Sequence, residues 1–147
     1  MKIYIASSWK NEQAVLYLAK YLRDRGYEVD AFADTSTGRY VFNISEIGNP
    51  KKIDTREFMG DKRTIKAFYE DKKWLDWCDC CLMVLPAGKS THLEGGYAKG
   101  RGKKLIIFAM RGFVKGEFDV MYKFADVYTD DFGAVIESIE EQPNKSR

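Results

Sequence analysis

Glu94 is the residue of this chain whose type and position best suit chemistry. It stands in the stretch Leu85-Pro-Ala-Gly-Lys-Ser-Thr-His-Leu-Glu-Gly-Gly, just after the apolar run 80–85. A continuous apolar run of this length is typical of a strand that is covered on both faces. Residues 86–88 break the run, and a helical segment follows as far as about Arg101. The sequence therefore predicts a carboxylate in the first turn of a helix, at the sheet edge where open α/β sheets bind ligands.

The same spacing also fits a purely structural role for Glu94. Ser90 or Thr91 can cap the helix, and Thr91-x-x-Glu94 has the pattern of a capping box. A carboxylate in a first turn also interacts favourably with the helix dipole. Gly95 and Gly96 favour a functional role instead, because two glycines cost a helix about 2 kcal/mol relative to alanine. Such glycines leave space for a close approach to the backbone, which a nucleophile facing a sugar ring would need.

Length and composition are those of an ordinary globular protein. The chain has 147 residues, of which 45% are hydrophobic and 31% are charged. We expect one domain over residues 1–141, followed by a frayed tail at 142–147. The net charge of +2 is too small to indicate a nucleic-acid or membrane partner. Without a signal-peptide pattern or an apolar stretch of roughly 20 residues, the chain is expected to be cytoplasmic.

Cysteine spacing and the missing nucleotide motifs argue against a metal or a cofactor. Cys78, Cys80 and Cys81 lie too close together to form a tetrahedral zinc site by themselves, and His92 is the one histidine of the sequence. Buried, reduced thiols are the better interpretation. The chain contains neither G-x-G-x-x-G after its first strand nor a P-loop. We therefore expect no structural metal and no bound cofactor.

Hydrophobic periodicity predicts an α/β fold with five strands that alternate with helices. The pattern indicates a doubly wound parallel sheet with the strand order 2-1-3-4-5. In that order the first and third strands are neighbours, so residues 7–10 and 89–94 should face one crevice. Residues 34–55 show no period; we interpret them as a pocket wall rather than a disordered loop, since they are too apolar for solvation. The predicted strands are 2–6, 28–33, 80–85, 105–108 and 127–129. The first predicted helix ends before Gly26, and the other four span 55–77, 90–101, 118–125 and 132–141.

The groups at the predicted crevice suit an anion or the hydroxyls of a sugar. Carboxylates beside an anomeric carbon can act as nucleophile and as acid or base. No spacing supports a Ser-His-Asp triad, and His92 is better explained as a polar residue at the helix start than as a general base.

In several of these features the chain resembles the nucleoside 2-deoxyribosyltransferase superfamily. The resemblance covers residues 1–130 and rests on the start Met1-Lys-Ile-Tyr-Ile-Ala-Ser-Ser, on Asp71 and Asp79, and above all on the block 85–108. It is similar to the small branch whose members carry "ASSW" and "LPxGxSxHLEaGyaxGxGK". The resemblance implies a flavodoxin-like fold, homodimers or larger assemblies, and a glutamate that attacks the anomeric carbon of a nucleoside or nucleoside monophosphate.

The resemblance also implies roles for individual residues. Glu94 matches the nucleophile, and Asp71 matches an upstream aspartate that handles the leaving base. The transferases carry an acidic residue one turn before the glutamate, and Gly88 and Lys89 stand there in this chain. This difference argues against base transfer more than against cleavage of the glycosidic bond. The basic residue at this place suits a 5′-monophosphate. A nucleotide-binding module without catalysis, and a structural domain, are the alternatives. The resemblance implies that Tyr4, Ser7, Ser8 and Ser90 bind the substrate. The other predicted substrate-binding residues stand at the same crevice: Lys10, Gly88, Lys89 and His92.

Overall fold

Five parallel strands form the centre of the protein, in the order β2-β1-β3-β4-β5. This computed structural model describes residues 1–141, so the predicted tail at 142–147 lies outside the described residues. The doubly wound, flavodoxin-like arrangement and its strand order are as predicted from the sequence. The strands are β1 (Lys2–Ser7), β2 (Glu28–Ala31), β3 (Cys80–Leu85), β4 (Lys104–Ala109) and β5 (Val127–Thr129).

The helices depart from the predicted ones at two places. The single helix predicted over 55–77 is two helices, because Asp61 adopts an extended conformation and its side chain accepts a hydrogen bond from the Arg63 amide, starting a new helix. The helix predicted over 118–125 is a shorter 3-10 segment, Val120–Phe124. The α-helices are α1 (Glu12–Asp24), α2 (Thr55–Gly60), α3 (Lys62–Trp77), α4 (Lys89–Gly100) and α5 (Phe132–Glu140).

Two hydrophobic cores cover the two faces of the sheet. One core packs α1 and α5 against Ile3 and Ile5 of β1, and the other packs α3 and α4 against Tyr4 and Ala6. Side chains of a strand alternate between faces, so a strand covered on both sides must be apolar throughout. The cysteines 78, 80 and 81 are buried and free, as expected. Within residues 1–141, no helix combines the length and the apolar character needed to cross a membrane.

The segment 32–54 lies between β2 and α2, includes most of residues 34–55 for which the sequence shows no period, and contacts α3 through side chains. Three 3-10 turns at 35–37, 44–46 and 50–52 are each capped by an Asp or Asn side chain. The Lys66 ammonium of α3 lies 4.1 Å from the centroid of the Tyr40 ring. One arginine of this segment, Arg39, is buried and reaches both β2 and α3.

Candidate active site

Tyr4 and Glu94 form the central contact of the site. Tyr4 lies in β1, is only 1% exposed and faces the side of the sheet that α3 and α4 cover. Its hydroxyl donates a hydrogen bond of 2.5 Å to Oε2 of Glu94, a residue 90 positions away on α4. Glu94 is half-buried. A hydrogen bond this short to a carboxylate is charge-assisted, so the tyrosine fixes the orientation of the carboxylate.

The start of α4 corrects the position predicted for Glu94. The helix begins at Lys89 with Gly88 as its N-cap, and no side chain makes a capping bond there. Glu94 therefore lies in the second turn, not the first, and its carboxylate points to Tyr4 rather than back to the helix start. Ser90 and Thr91 lie inside the helix, so both the predicted cap and the capping-box explanation are wrong.

Gly95 has a packing role that differs from the predicted one. A Cβ at this position would lie 3.0 Å from Sδ of Met83 and 3.4 Å from Cδ1 of Leu105. The missing side chain lets α4 approach β3 and β4 closely, and does not leave space for a ligand as expected. Gly96, by contrast, is exposed and has open space beside it.

A buried ion-pair bridge adds Asp71 to the same region. Arg39 donates from Nε to Oδ1 of Asp30 at 2.9 Å and from Nη2 to Oδ1 of Asp71 at 2.8 Å. The Arg39 side chain is 2% exposed, and that of Asp71 is 37% exposed. Asp30 is the register partner of Tyr4 on the neighbouring strand, so both side chains stand on the same face of the sheet.

Sequence reasoning missed two members of this bridge, Asp30 and Arg39. A signal existed for Asp30, because a carboxylate between Val29 and Ala31 sits at a position where a buried parallel strand is expected to be apolar. Arg39 has no comparable local signal. It follows Gly38 in a segment without periodicity, and only its partners reveal its role.

The electrostatic environment raises the pKa values of the acidic groups. Burial raises the pKa of Glu94 to about 7; the hydrogen bond from Tyr4 and the charge of Arg39 oppose this rise, and the charges of Asp71 and Asp30 add to it. Burial also raises the pKa of Asp71, against the lowering effect of Arg39. The pKa of the Tyr4 hydroxyl is raised by burial and by Glu94. Two carboxyl groups with raised pKa values are a common arrangement for proton transfer and nucleophilic attack.

The loops after β1 and β3 meet at the switch point of the sheet, as predicted. The Ser7 hydroxyl donates to the Val84 carbonyl at 2.9 Å. Asn11 donates from Nδ2 to Ser7 Oγ at 3.0 Å and to the Pro86 carbonyl at 2.8 Å. These bonds tie the two loops together, so the Ser7 hydroxyl already has partners within the protein.

The neighbouring residues Ser8 and Lys10 belong to one short turn. The Ser8 hydroxyl accepts a hydrogen bond from the Lys10 amide at 3.2 Å and caps the 3-10 turn Trp9–Asn11. The Lys10 side chain is exposed. In this arrangement the Ser8 hydroxyl shapes the loop, while the Lys10 side chain stands at the same edge of the sheet as the start of α4.

The start of α4 contributes four of the predicted substrate-binding residues. Gly88, Lys89 and Ser90 are exposed at this helix terminus. The two ring nitrogens of His92 contact the Gly88 carbonyl at 2.7 Å and the Tyr122 hydroxyl at 2.9 Å, and the His92 and Tyr122 rings are stacked. Both nitrogens are therefore engaged in holding α4 to the segment 120–124, which agrees with a structural role rather than a general base.

Comparison with known proteins gives matches among solved structures. No protein-family model and no curated protein sequence matches the chain. A 2-deoxyribosyltransferase from Bacillus psychrosaccharolyticus has a TM-score of 0.66 and 20% identity, over 92% of this chain and 90% of the other. The CMP N-glycosidase BcmB of Clostridium botulinum has a TM-score of 0.53 and 15% identity, over 95% and 97% of the two chains.

A third match shows how far such similarity reaches. The response regulator TrrA of Thermotoga maritima has a TM-score of 0.50 and 17% identity, over 94% of this chain and 95% of that one. One fold thus serves both glycosidic enzymes and a signalling protein, so function has to be argued from the site. The first two structures, a 2-deoxyribosyltransferase and a CMP N-glycosidase, confirm the predicted fold of this chain.

Proposed function

We propose that this protein is an enzyme of the nucleoside 2-deoxyribosyltransferase superfamily that cleaves the N-glycosidic bond of a nucleoside or nucleoside 5′-monophosphate. The observation that carries the proposal is the Glu94 carboxylate, which Tyr4 holds at 2.5 Å on the face of the sheet covered by α3, the helix of Asp71. Two of the structures that share the fold are a 2-deoxyribosyltransferase and a CMP N-glycosidase. Most enzymes that cleave glycosidic bonds use two carboxyl groups, and Glu94 and Asp71 would supply them here.

In the proposed reaction, an oxygen of ionised Glu94 attacks the anomeric carbon of the sugar. The C–N bond breaks and its electron pair leaves with the base, which takes up a proton from solvent relayed through Oδ2 of Asp71. A water molecule or a second base then attacks the glycosyl–Glu94 ester and restores the carboxylate. Tyr4 occupies Oε2, so Oε1 remains for the attack, and its hydrogen bond favours the ionised form that the attack needs.

Peptide mass spectrometry tests this function directly. The wild-type protein is incubated with a panel of nucleosides and their 5′-monophosphates, quenched in acid and digested. We expect a mass increase of one sugar, or sugar phosphate, on the peptide that contains Glu94, together with the free base in solution. Bound nucleotide that is neither cleaved nor attached to the protein would contradict the proposal and favour a nucleotide-binding module.

We further propose that a 5′-phosphate binds at the start of α4. Lys89 and Ser90 are exposed there, and the amides and dipole of a helix N-terminus favour an anion. A hydrogen bond to a charged group contributes about 1.5 to 3 kcal/mol. Ser90→Ala should therefore lower kcat/KM for a monophosphate by roughly ten- to hundredfold, measured as release of base.

The corresponding nucleoside is the internal control for Ser90→Ala. It lacks the phosphate, so the substitution should leave its kcat/KM nearly unchanged. If the wild type uses nucleoside and monophosphate equally well, the phosphate site is wrong.

The active form is proposed to be a homodimer or a larger assembly. The resemblance implies it, and exposed apolar side chains support it: Ile65, Phe68 and Tyr69 on α3, and Leu93 on α4, which is 75% exposed beside Glu94. Exposed apolar patches of this kind commonly mark protein interfaces. Sedimentation at micromolar concentration is the test, and a fully active monomer would contradict the proposal.

A further inference from the structure

Arg39 is buried between two carboxylates that belong to different elements. Its guanidinium joins Asp30 of β2 to Asp71 of α3 through bonds of 2.9 and 2.8 Å. Taking a guanidinium out of water costs several kcal/mol unless the charge is paired and hydrogen-bonded. Here one cation serves two anions, so a single side chain of the segment 32–54 contacts both the sheet and α3.

The two ends of the bridge differ in accessibility. The Asp30 side chain is 4% exposed, whereas that of Asp71 is 37% exposed. Asp30 is therefore a fixed anchor below the surface, and Asp71 is the end that solvent and ligands can reach. Only Oδ1 of Asp71 accepts from Arg39, so Oδ2 remains available to another partner.

The bridge also balances the charge around the nucleophile. The groups that act most strongly on Glu94 come from four different parts of the chain: Tyr4 of β1, Asp30 of β2, Arg39 of the segment 32–54 and Asp71 of α3. Three of these five side chains, counting Glu94, are carboxylates. Arg39 supplies the positive charge that opposes their mutual repulsion.

We propose that Arg39 is a positioning residue for the glycosidic reaction: anchored on Asp30, it holds one oxygen of Asp71 and leaves the other free for the leaving base. This inference rests on the proposed function for the role of Asp71. The contact between Arg39 and Asp71 itself can be tested without turnover. The competing explanation is that Arg39 serves the fold alone, by neutralising buried Asp30.

The double variant Arg39→Met with Asp30→Asn separates the two explanations. Arg39→Met alone leaves Asp30 as an unpaired buried carboxylate and should lower the melting temperature. Replacing Asp30 by the neutral Asn removes that penalty, so the double variant should regain stability. If Arg39 positions Asp71, the double variant still lacks the Arg39–Asp71 contact.

The primary measurement is the titration of the Asp71 carboxyl by ¹³C NMR, with its signal identified by its loss in Asp71→Asn. In the double variant we expect the Asp71 midpoint to rise, because Arg39 lowers the pKa of Asp71 in the wild type. Asp30→Asn alone is the control: it removes a neighbouring negative charge but keeps Arg39, so its Asp71 midpoint should not rise. With a confirmed substrate, kcat of the double variant should fall on the order of 10²-fold, the cost of misplacing a catalytic group.

A double variant with the wild-type Asp71 titration and wild-type kcat would overturn the positioning role. Should the double variant not fold, Arg39→Lys is measured instead. A lysine keeps the charge but cannot bridge two carboxylates in the same way, so the Asp71 midpoint should still rise as the hydrogen bond from Arg39 is lost. The NMR result does not depend on catalysis. The proposed function can therefore fail, through an active Glu94→Gln, while the Arg39–Asp71 contact stands.

Discussion

Glu94→Gln is expected to abolish turnover, with kcat lowered by roughly 10⁴-fold or more, the scale seen when a nucleophile is removed. Glutamine has the shape of glutamate, and its amide oxygen can still accept the hydrogen bond from Tyr4. It carries no negative charge and cannot form the glycosyl ester. Release of free base from a confirmed substrate is the measurement.

Glu137→Gln is the matched control for this experiment. Glu137 is exposed on α5, which packs on the opposite face of the sheet. The same chemical change there should leave kcat unaltered. If Glu94→Gln kept activity close to the wild type, Glu94 would not be the nucleophile and the proposed mechanism would be wrong.

The same substitution is expected to stabilise the protein at alkaline pH. Burial raises the pKa of Glu94 from 4.5 to about 7, so the folded protein binds this proton more tightly than the unfolded chain. Wild-type stability therefore falls as pH rises through this range, and the loss is complete above the folded-state pKa. At about 1.4 kcal/mol per pKa unit, the loss is at most about 3 kcal/mol. The glutamine side chain of the variant is neutral at every pH and escapes this penalty.

Thermal unfolding of both proteins at several pH values measures this difference. At about pH 8.5 the melting temperature of Glu94→Gln should exceed that of the wild type by up to roughly 10 °C. The difference should shrink steadily towards about pH 5, where Glu94 is protonated in the folded wild type. Groups that do not interact with Glu94 titrate alike in both proteins and cancel from the difference. A difference that does not change with pH would show that the Glu94 pKa is not raised.

Such a result would also explain why a carboxylate is kept at this position. An ionised Glu94 on the covered face of a sheet destabilises the fold, and a neutral residue of the same shape would not. Stability lost at a functional site is commonly the consequence of what catalysis requires. Higher stability together with lost activity in one variant would therefore support a catalytic role more strongly than either observation alone.

The elements and their order could be predicted from the amino-acid sequence. Apolar runs such as 80–85 predict strands because each residue of a covered parallel strand must be apolar, whichever strand lies beside it. The order 2-1-3-4-5 is the simplest one for five parallel strands that alternate with helices in a doubly wound sheet. The start of α4 was not predictable to the residue, since Gly88, Ser90 and Thr91 can all serve as N-caps. The break between α2 and α3 at Asp61 was not predictable either, because a capping aspartate does not interrupt the hydrophobic period of the residues around it.

Which side chains meet depends instead on the tertiary structure. Tyr4 and Glu94 are 90 positions apart, and their contact depends on how closely α4 approaches the sheet beside Gly95. Asp30 faces the same side as Tyr4 because of the register between β1 and β2. Short sequence patterns indicate which residues are buried and which cap a helix, because these properties depend on a few neighbouring residues. Register and helix packing act over the whole chain, so the bridge that Arg39 makes could be seen only once the protein was folded.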